Sequence, residues 1–259
     1  MLKIQNQLYR GFFIVVVALF LFQFQGCNSN LNNPDGGTVS LSFAANGSLN
    51  KANLNSIELD TIKILIRDVK LENESDSSDD EFDSGMHSGP GSEYRSEDVK
   101  VGSFVVYLNL NGLTTDFAVN NIPAGTYNEI KFKIHQIKGS EVPTDPEFKD
   151  GDDEYHRYSV IVKGKYNSVP FIYKSRKSAH QKVRLDSLLI VQENSVTNLS
   201  ISVDPASWFM DGQTELDPTD SSNTQIIDNN IARSFKSAFK DDDHDGQCDD
   251  HYGGGHHQR

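Results

Sequence analysis

The sequence predicts a mainly β protein, an antiparallel sandwich or barrel with one helix near its C-terminus. Three observations predict it. Apolar residues recur at spacing two between Val39 and Val203, clusters of Gly, Asn and Pro separate these runs, and helical spacing appears only after residue 223. Alternation puts every second side chain on one face of a strand, whereas a recurrence near 3.6 marks one stripe of a helix. Many short alternating runs with turn signals between them form a β-sandwich or barrel.

The elements follow in order. "TVSLSF" places Val39, Leu41 and Phe43 on one face, and "IKILIR" does the same with Ile62, Ile64 and Ile66. The phase then slips to Val69 and Leu71, which predicts a bulge or a short turn inside the strand. "SFVVYLNLNG" aligns Phe104, Val106, Leu108 and Leu110. In "YNEIKFKIHQI", Ile130, Phe132 and Ile134 face the core while Lys131, Lys133 and His135 alternate outward. Two further runs flank the turn residues Asn167 and Ser168, one with Val160 and Val162, the other with Val169, Phe171 and Tyr173. "VRLDSLLIV" and "SVTNLSISV" are separated at "ENS", and the second ends the β region with Leu199, Ile201 and Val203. Beyond the loop "DGQTELDPTDSSNT", residues Ile227, Ile231, Phe235, Ala238 and Phe239 form one stripe of a helix expected over 225–239. Asp228 sits in its first turn and Lys236 and Lys240 in its last, to complement the macrodipole. Trp208 and Phe209 are expected to pack near it.

The charge of −13 over 259 residues argues against nucleic acid as a partner, because phosphate backbones attract basic surfaces. A hydrophobic fraction of 36% and a mean hydropathy of −0.51 leave enough for a core, though not from the whole length. More than half of the acids fall in three stretches that read as mobile loops: residues 72–98, residues 141–154 and the Asp run from 241. The segment 73–98 has too few apolar residues to offset the entropy of ordering and is expected as a long loop.

The first residues carry an address. Lys3 and Arg10 precede an apolar run, Phe12–Phe22, that is shorter than the ~20 residues a membrane span needs. It suits a secretory signal peptide, residues 1–26. Gly26-Cys27 closes it and resembles the lipobox of bacterial lipoproteins, although Phe24 and Gln25 depart from the usual residues there. The resemblance implies that Cys27 is diacylglycerated, with palmitate the expected acyl chain, and becomes the mature N-terminus. The partner is then a membrane, through that lipid. Asn28 stands where a retention signal would carry Asp, so the expected location is the bacterial cell envelope, at the outer membrane. Residues 27–37 read as a tether, 38–209 as the β-sandwich, and 210–259 as a loop, helix and Asp/His-rich tail. With only Cys27 and Cys248 in the chain, an acylated Cys27 leaves Cys248 without an intrachain partner.

The stretch "FVVYLNLNGLTTDFAVNNIPAGTYNEIKFKI", preceded by "IELDTIKILIRDVKLE" and followed by "KGKYNSVPFIYKS" and "NLSISVDPASWF", is similar to the bacterial domain of unknown function 4382. The likeness covers residues 38–209. It implies an exported, often lipidated Ig-like or transthyretin-like β-sandwich in which Pro123, Ala124 and Gly125 turn the chain and Tyr127 opens the long strand. No catalytic activity comes with that family.

No metalloprotease, nucleophile-elbow or phosphate-loop signature is present in the sequence, and the chain reads as non-enzymatic. His135, His156 and His180 read as outward residues at or near strands. The specific signal is C-terminal. Asp241, Asp243, Asp245, Gly246 and Asp249 occupy positions 1, 3, 5, 6 and 9 of a calcium-type loop, with Gln247 at the seventh offering its backbone carbonyl. Calcium wants six to eight hard oxygens, and a glycine at the sixth place permits the sharp turn. Tyr252 at position 12 lacks the bidentate carboxylate, so Asp250 or water would have to substitute. The rival is zinc or copper on Cys248, His244, His251, His256 and His257. A solvated acidic tail is the third reading. The functional expectation is a cell-envelope lipoprotein that binds or supports, with a weak calcium loop. The alternatives are a surface adhesin for a protein or glycan ligand, and a metal-handling protein.

Overall fold

The structure, a computed structural model, describes residues 36–45, 54–72, 102–110 and 116–249. Contacts divide the chain into Met1–Asn33 and Pro34–Arg259, and every described residue belongs to the second unit. The chain is mainly β, with one α-helix among the described residues. The strands are β1 (Gly36–Ala45), β2 (Ile57–Glu72), β3 (Phe104–Leu108), β4 (Asp116–Pro123), β5 (Gly125–Ile134), β6 (Val160–Tyr166) and β7 (Val169–Ser175). After them come β8 (Ala179–Val191), β9 (Val196–Val203), the short β10 (Met210–Asp211) and β11 (Thr214–Glu215), helix α1 (Thr224–Ala232) and β12 (Phe235–Lys240). The main sheet runs β4-β1-β9-β12-β8-β5-β2-β6-β7, with β3 on the other side of β2.

The sheet is curled and mixed, not purely antiparallel. β1 runs parallel to β9 from Thr38↔Val196 to Ala45↔Val203, and β12 meets β8 in parallel at Ala238↔Leu185. Alternation cannot reveal this, since it fixes which face a side chain takes and not which way the neighbouring strand runs.

The phase slip in β2 is a bulge. Asp68 has φ 56°, and the register against β5 shifts between Arg67 and Lys70, so Val69 returns to the core. The sixteen-residue strand serves two neighbours in succession, β6 along its first half and β5 along its second. Asn167 and Ser168, at φ 49° and 67°, make a two-residue hairpin closed by Tyr166↔Val169. Both central residues have positive φ, the type I′ geometry that matches strand twist. Pro123 ends β4 and Gly125 opens β5, and the Tyr127 hydroxyl donates back to the Pro123 carbonyl at 2.8 Å.

Phe43, Phe132 and Phe235 meet edge-to-face at the centre of the core, with centroids 5.3–6.4 Å apart. Trp208 and Phe209 are fully buried, and Asn230 on α1 donates its amide to the Trp208 and Met210 carbonyls at 3.1 and 2.7 Å. The helix therefore packs against Trp208 and Phe209 as the sequence implies.

Four expectations are corrected. The helix expected over 225–239 stops at Ala232, and Phe235–Lys240 is a strand filling the seam between β8 and β9. Without it the facing backbone edges of those strands would lack partners, an obligation that outweighs helical spacing. Lys236 and Lys240 thus complement no helix dipole, and Asp228, expected in the first turn, lies past it in a helix that opens at Thr224, where it accepts from the Tyr173 hydroxyl at 2.8 Å. His135, expected outside, is 2% exposed, because residues 136–158 fold over the outer face. That cover builds a second small core from Leu65, Val105, Ile137, Phe148, Tyr158 and Ile161. The acidic stretch within it, expected as a mobile loop, is therefore fixed, with Phe148 fully buried and Asp145 capping the turn Pro146–Phe148. Val169, expected to face inward, is 65% exposed.

Candidate functional site

The C-terminal loop hangs from β12, so the chain enters it extended. Its first residue, Asp241, is pinned to the sheet. Ser42 on β1 and Ser200 on β9 are parallel partners in register and share a hydrogen bond, and the Ser200 hydroxyl donates to Asp241 Oδ2. All three residues are buried. The Asp241 N–H donates to the Asn198 carbonyl at 3.3 Å and the Asp249 N–H to the Lys240 carbonyl at 3.1 Å, which anchors both ends of the loop.

Inside the loop the backbone curls around Asp241. The N–H of Asp245 donates to Asp241 Oδ1 at 3.0 Å and that of Gly246 to Oδ2 at 3.1 Å. The curl needs His244 at φ 60° and Gly246 at φ 78°. Glycine at the sixth position thus has the conformation its placement implied. Asp243 Oδ1 also accepts from the Asp245 N–H, at 3.2 Å, and Asp249 accepts from the Asp242 N–H.

Of the five ion ligands expected from the sequence, Asp241, Asp243, Asp245, Gln247 and Asp249, the structure brings three together. Carboxylate oxygens of Asp241, Asp243 and Asp249 lie within 4.8 Å of one another. Asp245 and Gln247 turn to each other instead: the Gln247 N–H and side-chain amide donate to the Asp245 carboxylate at 2.7 and 3.0 Å. Three carboxylates at such separation repel, and the donated N–H groups offset only part of that charge. Asp241 Oδ2 already accepts two of these hydrogen bonds, whereas Asp241 Oδ1, Asp243 Oδ1 and Asp249 Oδ2 accept one each, so the donor set fits a hard divalent cation through those three oxygens. Cys248 is a half-buried free thiol. Cys27, Asp250, His251, Tyr252, His256 and His257, together with the acidic segment 73–98, lie outside the described residues.

A second group of titratable residues was not legible in the sequence. Lys63 Nζ sits 2.6 Å from Asp145 and 3.1 Å from Glu147, Lys163 reaches Glu147 at 2.6 Å, and the Tyr107 hydroxyl donates to Asp145 at 2.8 Å. Burial alone would raise the Asp145 carboxyl and lower the Lys63 amine. The hydrogen bonds and opposite charges outweigh it, so Asp145 falls and Lys63 rises. Hydrogen bonds from Lys163 and Lys63 lower Glu147 as well. Groups held charged in this way are poor proton donors or acceptors near neutral pH, so the arrangement is a clamp holding residues 136–158 on the sheet. The buried His135 joins that clamp through Nε2, 2.8 Å from Glu141, which also accepts from Arg67 at 2.6 Å. The signal for this cover was the unbroken apolar runs Ile64-Leu65-Ile66, Val105-Val106 and Val160-Ile161-Val162, which mark strands buried on both faces.

No family model, no curated protein and no solved structure matches the chain.

Proposed function

We propose that the chain is a non-enzymatic cell-envelope lipoprotein, held to the outer membrane through an acylated Cys27, whose C-terminal loop takes one calcium ion weakly. The observation that carries the ion site is the convergence of Asp241, Asp243 and Asp249 within 4.8 Å on a loop tied at both ends to the sheet. The envelope reading is supported by the signal-peptide-like segment and Gly26-Cys27, and by the likeness of residues 38–209 to an exported family with an Ig-like or transthyretin-like sandwich. The mainly β body then serves as a binding or structural module.

With three convergent carboxylates and no carboxylate at position 12, affinity should resemble that of extracellular modules, on the order of 10⁻⁴ to 10⁻³ M. Because β12 precedes the loop, the ion would order residues 242–249 against a fixed Asp241 and leave the strand unchanged. Calorimetry of the full-length protein with calcium and then zinc tests this, on the wild type and on the double variant Asp243→Ala, Asp249→Ala. Calcium binding that disappears in the variant supports the site. Zinc uptake that survives the variant and goes with the histidines moves the assignment to the soft-ion rival. No saturable binding of either ion refutes both. Mass spectrometry of the mature N-terminus checks the anchor: an unmodified terminus or a retained Met1 removes it, and Cys27→Ser should release the protein from membranes.

A further inference from the structure

We propose that the end of the sheet formed by the β8–β9 turn rests in the headgroup layer of the membrane that holds Cys27, with Leu188, Ile190 and Val196 as its apolar contacts. The proposal rests on the lipid anchor argued above and adds which surface of the folded body the bilayer meets.

Leu188, Ile190 and Val196 are 63%, 61% and 66% exposed, although all three lie in strands. Alternation explains their direction: Leu189, Val191 and Leu199 enter the core, so these three stand on the outer face. They also share one end of the sheet. Ile190 pairs with Thr126 on β5, Val196 pairs with Thr38 on β1, and the Thr197 hydroxyl reaches the Ile190 carbonyl at 3.4 Å across the turn. The turn between them, Gln192-Glu193-Asn194-Ser195, is polar. An apolar pair of strand ends around a polar turn suits the boundary between headgroups and acyl chains, and not the hydrocarbon interior.

The chain enters the folded body at this same end. The Asn194 N–H donates to the Gly36 carbonyl at 3.1 Å and the Thr38 N–H to the Ser195 carbonyl at 2.8 Å, so β1 begins against the β8–β9 turn. Eight residues, 28–35, lie between Cys27 and Gly36. Fully extended they span at most about 30 Å. β8 is 13 residues long, and at strand rise it extends roughly 43 Å from this turn. An acyl group on Cys27 therefore cannot reach past the far end of β8, which excludes that end, and the exposed apolar residues lie at the end where the tether joins the sheet. With a net charge of −13, the contact is expected to be apolar and not an attraction to anionic lipid.

Val169 supplies the control. It is 65% exposed, as much as the three tip residues, but it lies at the β6–β7 turn beside the opening of β2, where Tyr166 pairs with Ile57. Lipidated full-length protein carrying Cys248→Ser is reconstituted into phosphatidylethanolamine and phosphatidylglycerol vesicles, with a fluorophore on either Ile190→Cys or Val169→Cys. Quenching by brominated lipid should be several-fold stronger at position 190 than at 169, and quenching by aqueous iodide several-fold weaker. Equal lipid quenching in a sample whose mass shows the acyl group overturns the proposal while leaving the anchor intact. A sample without the acyl group overturns both. Protection of position 190 from lipid and iodide alike would mean a protein covers the tip, which also overturns the proposal.

Discussion

Asp241→Ala separates what the C-terminal loop owes to the sheet from what it owes to an ion. Asp241 is 1% exposed and accepts three hydrogen bonds, from the Ser200 hydroxyl and the Gly246 and Asp245 N–H groups. A hydrogen bond to a charged group contributes about 1.5–3 kcal/mol. The three do not add in full, because the loop donors can turn to water once the carboxylate is gone and Ser200 keeps Ser42. Alanine also removes the cost of burying a carboxylate that has no cation beside it among the described residues. The balance predicts a loss of about 2–4 kcal/mol. Asp241→Asn, which retains one acceptor oxygen and the volume, should cost about half as much. Asp243 is exposed and accepts one N–H at 3.2 Å, so Asp243→Ala should change stability by less than about 1 kcal/mol. Urea unfolding in the presence of a chelator reads all three as midpoint shifts at constant slope. If Asp241→Ala lost under about 0.5 kcal/mol, or if Asp243→Ala lost as much as Asp241→Ala, the assignment of Asp241 as the pinned residue would be wrong.

Phe132→Ala should destabilise by roughly 3–5 kcal/mol in the same assay, since it empties the space between Phe43 and Phe235; a loss below about 1 kcal/mol would contradict that packing. The pH dependence has a definite sign. Asp145, Glu147 and Glu141 titrate below their ordinary values in the folded state, so they bind fewer protons folded than unfolded. Their stabilisation is complete above the unfolded carboxylate range of about 4 and is lost as pH falls through the lower folded values. Asp145→Asn should flatten the acid limb of midpoint against pH, and an unchanged limb would count against the clamp.

The body of the fold was legible because alternation is a local signal. Val39, Leu41 and Phe43, and then Ile130, Phe132 and Ile134, are buried where period two put them. The bulge at Asp68 was legible for the same reason, since a change of phase is visible in the apolar pattern alone. β12 was not. Its register against β9 shifts between Phe235 and Ala238, so Phe235, Ala238 and Phe239 are the buried residues. A bulge gives a strand the i, i+3, i+4 spacing of a helix, and it follows directly on the true helical pair Ile227 and Ile231. His135 failed for another reason: the run it belongs to alternates cleanly, and the cover over the outer face shows only in the unbroken apolar runs of β2, β3 and β6. In the candidate site, the residue types and the glycine position were legible. That Asp241 would be buried against Ser42 and Ser200 was not, because those serines lie far away in sequence and look like ordinary outward strand positions.

The order of strands bears on how the chain becomes a folded object. β8 and β9 follow one another in sequence with only a tight turn between them, yet β12, the last strand described, sits between them in the sheet. A chain delivered N-terminus first, as it is from a ribosome or through an export channel, can assemble β1 to β9 and still have an open slot at its centre. The slot closes only when residues 235–240 arrive, and their arrival also brings Phe235 between Phe43 and Phe132 and Asp241 onto Ser200. Cooperative closure of these strands thus waits for residues 235–240. A chain cut after Ser234 would keep almost all of the apolar sequence and lose the keystone, with the edges of β8 and β9 left open to pair with another copy.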